Sequence, residues 1–305
     1  MPTIPLITDV RHATGSPAAL AKGMIRLARP KDWVKNVFMV APVPFALVTG
    51  AHFELVPFLL GLLGFSLVNS AIYTLNDLVD AEADRLHPRK QYRPVAAGVV
   101  PPNVALIQFA FLALSGVGLA LASGKPGAAP LVLVYIALNL GYSLGMKHVA
   151  LLDVFLLSSG FVIRVLLGCA LVAAPPSAWL LLCTSALALF LGFIKRRADL
   201  NARSDNSHRP SLRGYTQVFL DQAIIICAGV ALLAYALYSI ESQVLLKGRE
   251  MASMPLVAYG ILNYLRVASK ENLGGSPVEV AYSSRSSQVC AVGWVAAVTW
   301  SLGLW

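Results

Sequence analysis

The chain has 305 residues, 57% of them hydrophobic and only 13% charged, with a mean hydropathy of +0.69 and a formal net charge of +9. Soluble domains carry about 25% charged and about 45–50% apolar residues, so this composition excludes an ordinary soluble globule and predicts an integral membrane protein, which the run lengths below make all-α. The positive charge calls for no nucleic-acid partner, because Lys and Arg gathered at one face of a bilayer produce the same excess.

In chain order, residues 1–33 contain no apolar core of signal-peptide form. They are expected to form a cytoplasmic N-terminal segment, with insertion left to internal stretches. A bilayer core takes about 20 mostly apolar helical residues, and about 17 suffice. Candidate spans fall at 34–50, 55–76, 104–123, 129–146, 151–173, 178–195, 219–240, 252–267 and 287–305. The prediction is one nine-helix transmembrane domain over residues 34–305. Cys169, Cys183, Cys227 and Cys290 stand singly in apolar stretches, without metal-ligand spacing, and read as small hydrophobes.

Nine spans place alternate connections on opposite sides of the bilayer. The side holding the N-terminus receives 20 of the 24 Lys and Arg; the other receives Lys125, Lys247 and Arg249, and Arg164 lies within a span. The positive-inside rule makes the rich side cytoplasmic, which for a multi-pass protein of the cell's inner membrane sets its orientation. Twelve of the 15 acids also belong to that side. Orientation signals do not require Asp, so this second asymmetry points to function.

The acids concentrate in LNDLVDAEADRLHPRK, residues 75–90, where the second span ends. If the helix continues past Asn76, Asp77 and Asp84 point within about 20° of each other and Asp80 lies about 40–60° from them. Like charges at this spacing repel unless a cation joins them. Oxygen ligands on one face suit Mg²⁺, which typically takes one or two carboxylates and completes its shell with water and phosphate oxygens. Arg85, Arg89, Lys90 and Arg93 follow and could hold further phosphate oxygens. The plainer alternative is a solvated helix end whose acids and bases pair with each other. An ion-coupled transporter would place its acids nearer mid-bilayer.

NDLVDAEAD resembles the NDxxDxxxD motif of the UbiA-type membrane prenyltransferase superfamily. RPKDWVKN at 29–36, RPVAAGVV at 93–100, GYSLGMKHVALLDVFLLSSGFVIR at 141–164 and FIKRRADL at 193–200 extend the resemblance over nearly the whole chain. It implies a nine-helix bundle with a cytoplasm-facing Mg²⁺–diphosphate site using Asn76, Asp77, Asp80 and Asp84. These blocks, with RGYTQVFLD at 213–221 and GGSPVEV at 274–280, look most like the branch that moves 5-phosphoribose. That branch transfers it from phosphoribosyl diphosphate to a polyprenyl phosphate, releasing diphosphate, on the way to arabinan precursors of the cell envelope. An aromatic or quinone polyprenyltransferase on the same fold is the alternative.

One departure bears on that choice. Where aromatic prenyltransferases carry a second DxxxD-like motif, this chain has Lys195-Arg196-Arg197-Ala198-Asp199. A base replaces the first acid, which suits a second phosphate better than a neutral ring. Lys195, Arg196 and Asp199 are therefore expected at substrate, or else as an internal cap with Lys195 paired to Asp199. The matched blocks add Lys35, Asn36, Lys147, Tyr215 and Asp221 as candidate substrate contacts. Arg164, about thirteen residues into its span, should face the interior beside an acid or a ligand, because an unpaired guanidinium there is costly.

Overall fold

The computed structural model describes residues 16–49, 53–88, 90–201, 210–270 and 284–305, and among them it contains helices and turns but no strand. Helix α1 (Pro17–Ala28) starts where Ser16 Oγ accepts the Ala19 N–H, with Pro17 in the first turn, and ends at Arg29, whose φ is 49°. A 3₁₀ turn, Pro30–Asn36, leads into α2 (Val37–Val40) and α3 (Val43–Val48). The expected first span, 34–50, is thus not one helix. Pro42 and Pro44 supply no N–H to the helical ladder and crowd the preceding turn, so the segment breaks.

Next come α4 (Leu55–Val79), α5 (Ala81–Arg85), α6 (Pro102–Ala122), α7 (Ala128–Ser143) and α8 (Leu152–Leu171). The chain continues with α9 (Ala178–Asn201), α10 (Gln217–Glu241), α11 (Met254–Lys270) and α12 (Arg285–Ser301). Among the described residues, five helices are long and apolar enough to cross a bilayer: α4, α6, α8, α9 and α10. The remaining expected spans fall on the broken first segment and on α7, α11 and α12, which have 16, 17 and 17 residues. This is the build of a multi-pass membrane protein, with five rather than nine full-length spans among the described residues.

The chain divides into two compact units. One comprises the residues up to Val34 together with Gly64–Gly118; the other comprises Lys35–Leu63 with Leu119–Trp305. In the first, Leu27, Ala81, Val95, Val100 and Ala105 form a buried cluster. A Cβ at Gly23 would lie 2.9 Å from Val100 Cγ2, so glycine there lets α1 sit close. Gln108 Nε2 donates to Met24 O at 2.9 Å, and Trp33 Nε1 donates to Ser70 Oγ at 2.9 Å. Residues 17–33, expected as an N-terminal segment, therefore pack against the helices that bear the acidic motif. On α6, Leu106, Ile107, Phe111 and Leu114 are exposed, which suits a lipid-facing side.

In the second unit, α8, α9 and α10 pack around Val154, Phe190, Phe193, Ile194, Leu220 and Ile224. Lipid tails are as apolar as leucine, so helices in a bilayer associate through close packing rather than water exclusion. Small residues provide that closeness. A Cβ at Gly192 would fall 2.6 Å from Val154 Cγ1, and one at Gly168 would fall 2.3 Å from the Met39 carbonyl oxygen, where α2 crosses α8.

Candidate active site

In the first unit, α4 ends at Val79 and α5 begins at Ala81, yet the helical ladder carries through the junction. Asp80 N donates to Asn76 O at 3.0 Å, and Asp84 N donates to Asp80 O at 2.8 Å. The acids thus keep the expected spacing. Asp77 and Asp84 are 1% and 3% exposed, so they do not belong to a solvated helix end. Arg29 Nη2 donates to Asp77 Oδ1 at 3.2 Å, and Arg93 Nε lies 3.5 Å from the same oxygen. Arg93 Nη1 reaches Asp84 Oδ2 at 2.6 Å, so one guanidinium spans both carboxylates. The Arg29 guanidinium also lies over the Tyr73 ring, 5.0 Å from its centroid.

This cluster is not closed. Asp77 Oδ2 is buried without a hydrogen-bond partner, while the Arg29 and Arg93 side chains remain 31% and 25% exposed. A buried carboxylate oxygen with an unused lone pair is costly. It is a suitable ligand for a hard cation, and two arginines beside it suit an anion. No three His, Cys, Asp or Glu are grouped closely enough among the described residues to hold a metal by themselves. The donor set fits Mg²⁺ shared with phosphate oxygens, since Mg²⁺ commonly takes few protein carboxylates.

Asn76, Asp80 and Lys90 are half-buried. Arg85 turns aside, its Nε donating to Ala96 O at 3.4 Å. Arg89 lies outside the described residues.

In the second unit, Asn36 and Arg164 meet. Arg164 is 4% exposed; its Nε donates to Asn36 Oδ1 at 3.0 Å and its Nη1 to Gly160 O at 2.8 Å. Its guanidinium also lies 5.5 Å from the Tyr135 ring centroid and 5.4 Å from that of Phe161. The interior placement agrees with the sequence reading, and an amide, a carbonyl and two ring faces receive the charge. Lys35 and Lys147 are half-buried in their 3₁₀ turns.

The KRRAD stretch differs from expectation. Arg196, proposed at substrate, is fully buried; its Nε lies 3.1 Å from Asp153 Oδ2 and its Nη1 2.6 Å from Asp199 Oδ2. Its guanidinium pairs with two carboxylates, and the pair with Asp199 ties neighbouring turns of α9 together. Tyr215, also proposed at substrate, donates its hydroxyl to Asp153 Oδ1 at 2.7 Å and accepts the Leu151 N–H at 2.6 Å. Burial, and then the Asp153 carboxylate, push the Tyr215 phenol above its ordinary value, which keeps it a donor. Asp221 pairs with Arg197 at 2.5 Å, and Lys195 is half-buried.

Sequence reasoning passed over Arg29, Asp153 and Ser211. Arg29 and Asp153 stand inside blocks that carried the resemblance, but their partners lie 48 and more than 40 residues away. The second unit also has a half-open 660 Å³ cavity whose lining includes Phe38, Phe45, Val165, Leu187, Tyr238 and Trp294.

A membrane-embedded helical fold with an NDxxDxxxD helix end defines the class: the chain belongs to the UbiA prenyltransferase family, which matches residues 36–274. Within it, the chain is similar to decaprenyl-phosphate phosphoribosyltransferase of Corynebacterium glutamicum, 38% identical over 92% of this chain and 86% of the relative. The enzyme of the same name from Mycobacterium tuberculosis is 34% identical over 93% of this chain and 96% of its own. A solved UbiA homolog from Archaeoglobus fulgidus bound to GPP and Mg²⁺ has a TM-score of 0.70 at 18% identity, covering 91% of this chain and 99% of that one. That likeness shows the shared fold.

Proposed function

We propose that this protein transfers 5-phosphoribose from phosphoribosyl diphosphate to decaprenyl phosphate or a similar polyprenyl phosphate, releasing diphosphate. The observation that carries this reading is the open cluster of Asp77, Asp84, Arg29 and Arg93, with its buried unpaired Asp77 oxygen and two partly exposed arginine side chains. The phosphoribosyltransferase names of relatives that match over nearly the whole chain support the substrate pair.

In this reaction an oxygen of the lipid phosphate bonds to C1 of the ribose, the C1–diphosphate bond breaks, and its electron pair leaves with the diphosphate. Negative charge grows on the leaving group. Arg29 and Arg93 are the groups to orient and neutralise it, and fixed charges aimed where charge develops are among the largest contributors to catalysis. Asp77 and Asp80, with Asp84 nearby, would hold Mg²⁺, which supplies Lewis-acid stabilisation of diphosphate when bound. Asp84 keeps Arg93 in place through their 2.6 Å pair. A phosphate monoester is largely anionic near neutral pH, so no strong base is needed.

The apolar cavity of the second unit is assigned to the acceptor's isoprenoid chain, and Lys147 and Lys195 to its phosphate. The gathering of 20 of 24 Lys and Arg on one side in the nine-span arrangement supports a cytoplasmic active site in the inner membrane.

The test supplies purified protein and Mg²⁺ with labelled phosphoribosyl diphosphate and polyprenyl phosphate. A parallel reaction contains polyprenyl diphosphate and 4-hydroxybenzoate. Label entering lipid is expected; prenylated aromatic product alone would replace this reading with an aromatic prenyltransferase.

A further inference from the structure

Asp153 is fully buried near the start of α8, and donors reach it from three directions. Arg196 approaches from α9 at 3.1 Å, Ser211 Oγ from the 3₁₀ turn Pro210–Gly214 at 3.1 Å, and the Tyr215 hydroxyl at 2.7 Å. Both carboxylate oxygens are used. Stability alone gives a poor reason for such a network, because well-packed apolar residues often replace a buried ion pair without loss. A fixed arrangement of the parts it joins is the better reason.

Those parts are the turns that bear candidate phosphate contacts. Tyr215 takes the Leu151 N–H, and Leu151 has φ 68° and ψ −50°, a positive-φ conformation close to the strained γ-turn that a leucine holds only under constraint. Leu151 closely follows the Met146–His148 turn, which contains Lys147 and is entered through Gly145 at φ 143°. A Cβ on Gly214 would lie 2.5 Å from Ala150 Cβ, so the two turns are packed together as well as hydrogen-bonded. On the other side, Arg196 adjoins Lys195 on α9, fixing the rotation of that helix end.

From this geometry we infer that Asp153 is a positioning residue, which locks the Lys147 turn to the Lys195 end of α9 and so sets the binding of the acceptor's phosphate. The inference rests on the proposed phosphoribosyl transfer. It acts through binding rather than through the reacting atoms, so its signature is a KM effect on one substrate. A small displacement of a positioned group can cost on the order of 10²-fold.

The test compares wild type, Asp153→Asn and Tyr215→Phe in lipid nanodiscs, each titrated separately with polyprenyl phosphate and with phosphoribosyl diphosphate, alongside thermal melting. Expected is a rise of about tenfold or more in KM for polyprenyl phosphate, with KM for phosphoribosyl diphosphate changing less than about twofold. Unchanged KM values, or equal changes for both substrates, would overturn the inference. If Asp153→Asn does not yield folded protein, Tyr215→Phe decides by the same criterion, since it removes one hydroxyl and keeps the ring. A wild type that transfers no phosphoribose would instead overturn the proposed function itself.

Discussion

The two units each hold an Arg–Asp cluster, and the contrast between them separates two uses of the same chemistry. In the first, Asp77 and Asp84 are buried while Arg29 and Arg93 stay 31% and 25% exposed, and Asp77 retains an unused oxygen. In the second, Asp153 and Arg196 are both fully buried, and Ser211 and Tyr215 complete the carboxylate's hydrogen bonds. An open cluster has capacity left for a ligand. A closed one spends its bonds on holding backbone segments together, so exposure of the cation distinguishes the two better than residue type does.

Substitutions can break this contrast. Asp77→Ala should reduce turnover by at least about 10²–10³-fold while the melting temperature stays near that of wild type; turnover and melting measured on one preparation check both halves. Arg93→Gln should follow, with a loss of about 10²-fold, because the proposed site sets this side chain against the leaving group and it also pairs with Asp84. Steady-state kinetics against phosphoribosyl diphosphate would show it.

In the closed cluster the sign of the result reverses. Arg196→Met leaves Asp153 buried without its cation and should destabilise the protein by about 3–5 kcal/mol, seen as a large fall in melting temperature. Arg164→Leu removes the donor to Asn36 Oδ1, while Gly160 O keeps its helical N–H, and should cost about 1–3 kcal/mol in the same assay. Lys125→Ala removes an exposed pair with Glu54, whose oxygen is 2.5 Å from Lys125 Nζ, and should change stability by less than about 1 kcal/mol.

Much of this organisation was legible from periodicity. Long apolar runs gave α4, α6, α8, α9 and α10, and the i, i+3, i+7 spacing of Asp77, Asp80 and Asp84 marked the candidate site before any contact was known. The first apolar run does not make one span, because Pro42 and Pro44 govern local backbone geometry whatever the composition. KRRAD was read correctly as basic but without its direction. Which way Arg196 points depends on Asp153, more than 40 residues earlier, and helical phase in a short polar run does not reveal such a partner. Arg29 was missed for the same reason: its role exists only through a contact with Asp77, 48 residues on.

The most direct test of the account is Mg²⁺-dependent transfer of labelled phosphoribose into polyprenyl phosphate by the wild type and Asp77→Ala proteins, before and after chelation. Wild type should yield labelled lipid, lose it on chelation and recover it with added Mg²⁺, and the folded variant should yield none. Full transfer by Asp77→Ala, or transfer indifferent to chelation, would contradict it.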